Sequence, residues 1–419
     1  MRSLSLATVF AAASGFIVIW LASFTVDAAS YAEFQAYWGL FFALTGAIDG
    51  VMQETTRAVA DARETGRASK ASPWRLGAVV ALVAAVIAGI GGALGMDRIM
   101  ADPPAAATGL LAAGLASYTL QAVLSGVLSG LKLWGRYAAL VALDSGVRLL
   151  AVIAAWALGL GGQALLWVTV IGTVSWLVVL GTDPQARERL RTPVDVDARR
   201  LTRRALSAMV ATGASAALIT GFPVFVQASF KDAGPAAHAV GSGDGASVTV
   251  AGIILAVTLT RAPILVPLQR FQSALIVRFV AHRETLYRAL GTPLAATLAL
   301  GAVGALAAWA VGPWILEVAF GKEELMVPGG VLAILTFASA FTGCLMITGA
   351  ATLAVERHGH YVAGWLTSSV VAFAVLFTPL ALVPAVCTAL IAGPTAGAAV
   401  HLAALGRRPA HHPTTGTMS

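Results

Sequence analysis

Four charged residues stand inside long apolar runs of this sequence: Asp49, Asp144, Arg148 and Arg261. A charge in hydrocarbon costs roughly several kcal/mol unless it is paired or faces a water-filled cavity, so position alone marks these residues as site candidates. Asp144 and Arg148 are four residues apart, which on a helix puts them on one face within pairing reach. They read either as a self-neutralising pair that locks helix packing or as part of a site. Arg261 has no acid nearby in sequence and precedes Pro263 and Pro267. An intramembrane arginine without such a partner is expected to face an aqueous cavity and bind an anion. Guanidinium suits phosphate, because its planar fork donates two parallel hydrogen bonds and keeps its charge at any relevant pH. Asp49 lies near one end of its run, followed by Glu54 and Arg57. It reads as a proton-coupling acid or as an ordinary solvated helix-end carboxylate.

Other chemistry is missing from the sequence. It contains no phosphate-binding glycine loop followed by lysine, no nucleophile elbow and no histidine pair at metal-ligand spacing, so neither metal nor cofactor is expected. Cys344 and Cys387 both fall in apolar runs and read as small packing residues. His358 and His360 read as interfacial anchors, and Trp74 and Trp134 as aromatic-belt residues at helix ends.

The elements that hold these residues must be membrane helices. Hydrophobic residues make up 58% of the 419 and charged residues 11%, well under the roughly 25% of a soluble domain. The apolar material comes in continuous blocks of about 20 residues, the length a helix needs to cross a core of roughly 30 Å. A closed barrel would show short alternating strands instead. The sequence predicts twelve spans, near 4–25, 33–53, 76–95, 106–131, 137–158, 162–181, 206–229, 249–268, 293–316, 327–351, 361–379 and 384–405. The first is read as a helix, not a removable signal, since no convincing cleavage site follows it.

Lysine and arginine stay on the cytoplasmic side of membrane helices. With the N-terminus inside, the inner connections collect 22 of the 27 Lys and Arg, and the outer ones only Arg98, Lys231 and Lys322. The two remaining, Arg148 and Arg261, lie within spans. Counted from the inner helix end, Arg148 is roughly 16 Å deep and Arg261 roughly 10 Å. Both termini are therefore expected in the cytoplasm of a bacterial inner-membrane protein. This placement also explains the net charge of +7 without nucleic acid.

The longest polar stretch, residues 182–205, divides the chain into two lobes of six helices, 1–181 and 206–405. Residues 406–419 read as a disordered tail and about 231–248 as a flexible outer loop. Pro263 and Pro267 make the eighth span the expected site of a bent helix. Gly126–Gly130 and Gly393–Gly397 have the small-xxx-small spacing of close helix contacts.

Residues 124–159, LSGVLSGLKLWGRYAALVALDSGVRLLAVIAAWALG, resemble the fourth-to-fifth helix region of polysaccharide-biosynthesis flippases: a small-residue helix, a Gly–basic–aromatic turn, then an acid and an arginine. WGLFFALTGAIDGVMQETTRAVA (38–60) is similar to that family's second helix, and VTLTRAPILVPLQ (257–269) to its Arg–x–Pro pattern. The family is the multidrug/oligosaccharidyl-lipid/polysaccharide exporter superfamily. The resemblance implies an all-α polytopic membrane protein of about 12 transmembrane helices, its two lobes enclosing a central cavity that opens alternately to either side. It implies a flippase, not an enzyme, that moves a lipid-phosphate-linked glycan between leaflets. Membrane lipids and glycan-assembly enzymes would be its partners. Arg57, Arg148 and Arg261 are then the headgroup-binding candidates, with Asp49 and Asp144 as coupling acids. Twelve helices fall two short of the peptidoglycan-precursor flippases, which argues against that substrate. Two rivals remain. A proton- or sodium-coupled drug or cation antiporter of the same superfamily predicts an acidic, aromatic cavity. A polyprenyl-dependent glycosyltransferase would need an outer-face carboxylate, such as Asp27 or Glu33.

Overall fold

The computed structural model of the chain describes residues 2–66, 68–101, 104–232 and 247–406. Arg67, most of the expected outer loop at 231–248, and the tail with Arg407, Arg408, His411 and His412 lie outside the described residues. The first half forms α1 (Arg2–Thr25), α2 (Ala28–Thr65), α3 (Pro73–Gly95), α4 (Pro104–Gly130) and α5 (Trp134–Ala157). A sixth span follows, α6 (Gly162–Ile171) joined to α7 (Ser175–Thr182) through a tight turn at Gly172–Val174. After the short α8 (Pro184–Glu188) come α9 (Ala198–Ile219), α10 (Phe222–Phe230), α11 (Val250–Ala281), α12 (Leu286–Phe320), α13 (Gly329–Ala354), α14 (His358–Leu376) and α15 (Leu382–Gly406).

Among the described residues, ten helical segments are long and apolar enough to cross a membrane, and α9 with α10 makes an eleventh as a bent pair. The twelfth expected span is α2, a 38-residue helix that carries Gln35, Asp49, Gln53 and Glu54 through its middle. These polar residues dilute its apolar character. Gln35, Asp49 and Gln53 line a cavity, which is why an interior helix can hold them.

In one lobe α1 packs on α5, and α4 on both α2 and α3; in the other, α13 joins α11, α12 and α15, and α14 packs on α15. The seam runs through α9, which lies along α2 and also touches α14. Gly126 lets α4 come within van der Waals reach of Met52 and Thr55 on α2, and Gly393 lets α15 reach Ala372 and Ser368 on α14, as the glycine spacing predicts. The α2–α9 seam uses the same device at Gly39, Gly46 and Gly50, on one face of α2. The 182–205 connection is also structured: it contains α8 and the first turns of α9. Val194 is buried, Ser69 N donates to Val194 O (2.8 Å), and Asp195 N donates to Ala58 O (3.2 Å), so this segment is strapped to the first lobe.

A break with a bend stands in the seventh span. α11 runs as one helix through Pro263 and Pro267, while α9 and α10 meet at 50° across Thr220–Gly221. Pro223 has no N–H to bond Ile219 O four residues back, and its ring disfavours helical geometry at the preceding residue.

Candidate functional site

One cavity lies within the first lobe, and a second adjoins it at the seam between the lobes. One, of about 430 Å³, is walled by α1, α2, α4 and α5, and the other, of about 620 Å³, by α2, α9 and α11. Both are lined by Ile19, Trp38, Phe42, Asp49, Tyr118 and Thr258, which makes them neighbouring parts of one central space. Its charged lining is Asp49, Asp144 and Arg148.

Asp49 projects from α2, and its Oδ1 accepts the Tyr118 hydroxyl of α4 at 2.7 Å. It makes no ion pair among the described residues and is open to both cavities. Asp144 and Arg148 stack on one face of α5, as i and i+4 require. Arg148 Nη2 donates to Asp144 Oδ1 and Nη1 contacts Oδ2, both at 3.1 Å, and Gln121 Nε2 also donates to Oδ1 at 3.1 Å. The guanidinium lies 5.0 Å from the Phe42 ring centroid and 5.7 Å from that of Phe41, within cation–π range. Its Nε is buried without a partner. Gly172, in the turn between α6 and α7, makes room: a Cβ there would sit 2.6 Å from Arg148 Nε and from Asp144 O.

The other two arginines stand elsewhere. Arg57 is on the extension of α2 beyond the expected span, bonded to Glu54 (2.7 and 2.9 Å), to Asp61 and to Asp195 of the strapped connection (3.2 and 3.3 Å). Those carboxylates, Glu54 first, hold its guanidinium above the ordinary value. In this arrangement three acids surround the one base. Arg261 is buried outside the cavity lining; its Nη1 donates to Leu218 O (3.3 Å) and Ile219 O (3.2 Å) at the α9–α10 break, and Phe222 stacks 4.9 Å away. It supplies the donor that Pro223 removes. The expected union of arginines from both lobes in one anion site is therefore not what the geometry shows. Arg148 reaches the cavity, and it does so as half of an ion pair.

Sequence reasoning attended to charges and missed Tyr118 and Gln121, the polar partners of the two acids. Their spacing, i and i+3 on an apolar helix, was the available signal. Gly172 was missed as well, since nothing local marks a glycine that makes room for another helix.

At the end where α1 meets α2, the lobes are tied: Trp20 Nε1 donates to Ala319 O (2.7 Å), Lys322 Nζ to Val26 O (2.8 Å) and Gln35 Nε2 to Ala251 O (3.3 Å). Lys231 Nζ donates to Asp97 O (2.8 Å) and Gln227 Nε2 to Ile99 O (3.3 Å) at the same end. Away from these ties, the cavity lining reaches Met52 and Tyr137.

No family model matches the sequence. It is 37% identical over 407 residues to the uncharacterized protein Rv1510 of Mycobacterium tuberculosis, covering 96% of this chain and 90% of the relative. It is also 37% identical over 398 residues to the uncharacterized protein Rv3630 of the same species, covering 94% and 89%. Among solved structures, it is similar to an inward-facing multidrug resistance MATE family transporter of the MOP superfamily (TM-score 0.65, 16% identity, 95% and 94% covered). It is equally similar to an outward-facing one (0.64, 14%, 97% and 96%). A MOP superfamily transporter from Pyrococcus furiosus, described as having a binding pocket of reversed polarity, matches at 0.62 with 16% identity, covering 97% and 96%. At these identities the likeness is one of fold.

Proposed function

The chain belongs to the protein family of Rv1510 and Rv3630, and from its cavity we propose that it is a proton-coupled, alternating-access membrane exporter with Asp49 as the coupling acid. One observation carries this reading: Asp49 faces the central space bonded to a hydroxyl, and it pairs with no cationic side chain among the described residues. Such a carboxylate can hold a proton, or a cation, but not both. Exchange of one for the other needs only that the cavity open alternately to the two sides. With charge sidedness taken as the guide, the tied end faces outward and the described conformation opens inward. Two acids, one arginine and the rings of Trp38, Phe42, Tyr118 and Tyr137 suit an amphipathic cation.

The test is proton-driven efflux of an organic cation from proteoliposomes. Asp49→Asn, which keeps shape and the contact with Tyr118, is expected to abolish the dependence on the proton gradient. Undiminished gradient-driven efflux by that variant would overturn the assignment.

A second reading, the lipid-linked sugar flippase, is supported by Arg148. It stands on the cavity wall with a buried Nε still unbonded, and protonation or displacement of Asp144 would free its fork for phosphate. Transbilayer movement of a labelled polyprenyl-phosphate sugar, lost in Arg148→Ala and retained in Asp49→Asn, would select this reading over the first.

A further inference from the structure

Away from the central cavity, the structure contains an apolar groove of about 620 Å³ that shares no lining residue with it. Its floor is the back of α2, at Leu44 and Ile48, with Leu111 of α4; α3 forms one long wall and the start of α9 flanks the lower end. Among the described residues, Thr202 is the only polar one in the lining. From Leu76 to Gly95 the α3 wall rises about 28 Å, close to the full hydrocarbon core of roughly 30 Å. Gly91 and Gly95 keep that wall open, with nothing within 4 Å of where their Cβ atoms would stand.

The lower end is cationic on both sides. Arg75 precedes Val79 by four residues and Arg199 precedes Thr202 by three, so helix periodicity places each on the groove face. Both are exposed and neither makes an ion pair among the described residues. Side chains lean toward a helix N-terminus, and α3 and α9 both begin at this end, so periodicity aims the two arginines toward the mouth of the groove, outside its apolar lining. The N-terminus of α3, which has no side-chain cap, adds its positive dipole end, while that of α9 is capped by Asp197.

We propose that this groove is a binding site for a phosphate-headed lipid with a single chain longer than one leaflet, of the polyprenyl phosphate class. The arginines select the anionic head. The length matches one long chain, because phospholipid tails end near the bilayer midplane, about 15 Å in, and filling the groove with them takes one molecule from each leaflet. The site is independent of what the central cavity carries: binding here can hold whether or not that lipid is transported, and transport can fail without emptying it.

Native mass spectrometry of the full chain released from detergent, titrated with undecaprenyl phosphate, phosphatidylglycerol or neutral polyprenol, tests the proposal. Undecaprenyl phosphate is expected to be retained in preference to both others. Arg75→Gln and Arg199→Gln are each expected to weaken it roughly fivefold. Gly91→Leu fills open space within α3 with a better helix former, so it should fold while losing retention. Equal retention of phosphatidylglycerol, or unchanged retention after the groove is filled, would overturn the proposal.

Discussion

Asp144 and Arg148 are joined by two contacts of 3.1 Å, with Gln121 closing the third side of the carboxylate. Removing one member leaves the other charge without its partner in a largely apolar wall. Arg148→Ala is therefore expected to cost toward the low end of about 3–5 kcal/mol, since the cavity leaves Asp144 partly hydrated. Replacing both residues by alanine should recover much of that loss, a coupling that a double-mutant cycle of thermal melts in detergent will register. Gly172→Ala attacks the same pair by bulk alone. Its Cβ would press on Arg148 Nε at 2.6 Å, and overpacking of this kind costs about 1–3 kcal/mol. The same Cβ would stand 2.6 Å from Asp144 O, so an Arg148→Ala background should relieve only part of the loss, and an undiminished loss there would show that the glycine makes room for the backbone of α5 and not for the guanidinium.

At the scale of elements, the bend between α9 and α10 and the eighth span explain each other. Pro223 withholds a donor from Ile219 O, and Arg261 of α11 supplies one. Arg261→Met should leave both carbonyls unsatisfied at about 1–3 kcal/mol each. In a Pro223→Ala background the restored N–H should take over Ile219 O and shrink that loss, as chemical or thermal unfolding of the single and double variants would reveal. An Arg261 effect equal in the two backgrounds would refute the pairing. The twelve-span plan was legible in the sequence because apolar block length and charge sidedness are local properties. The partner of Arg261 was not, because an orphaned carbonyl some forty residues away exists only once the helices are packed. Gly126 and Gly393 were readable from spacing alone. Gly46 and Gly50 have that spacing too, yet their partner helix lies across the seam in the other lobe, where no local pattern points. Asp49, Asp144 and Arg148 were found by counting charges in apolar runs, whereas Tyr118 and Gln121 went unseen because neutral polar residues are unremarkable in a membrane helix until an acid faces them.

For the whole molecule, the question is what holds one end shut. Lobe-to-lobe hydrogen bonds gather where α1 meets α2, and two of them, Trp20 to Ala319 O and Lys322 to Val26 O, reach across with side chains that can be changed without touching the cavity. A ligand or mutation moves a two-state equilibrium only by its differential contribution to the two states. These bonds belong to the described state, and each is worth about 0.5–1.5 kcal/mol, more where the donor is charged. Trp20→Phe with Lys322→Met should therefore favour the opposite opening by about tenfold. The readout is a cysteine at Ala12, an exposed residue of the cavity wall, in a background with Cys344 and Cys387 replaced by alanine. In sealed, oriented vesicles its labelling by an impermeant maleimide added on the side of the Trp20–Lys322 ties should rise, and labelling from the other side should fall. If both rates stay as they were, the ties are incidental and the lobes are held by the glycine seam of α2 and α9 alone. If they change in the opposite sense, the cavity opens at the tied end, and the inward-open assignment is reversed.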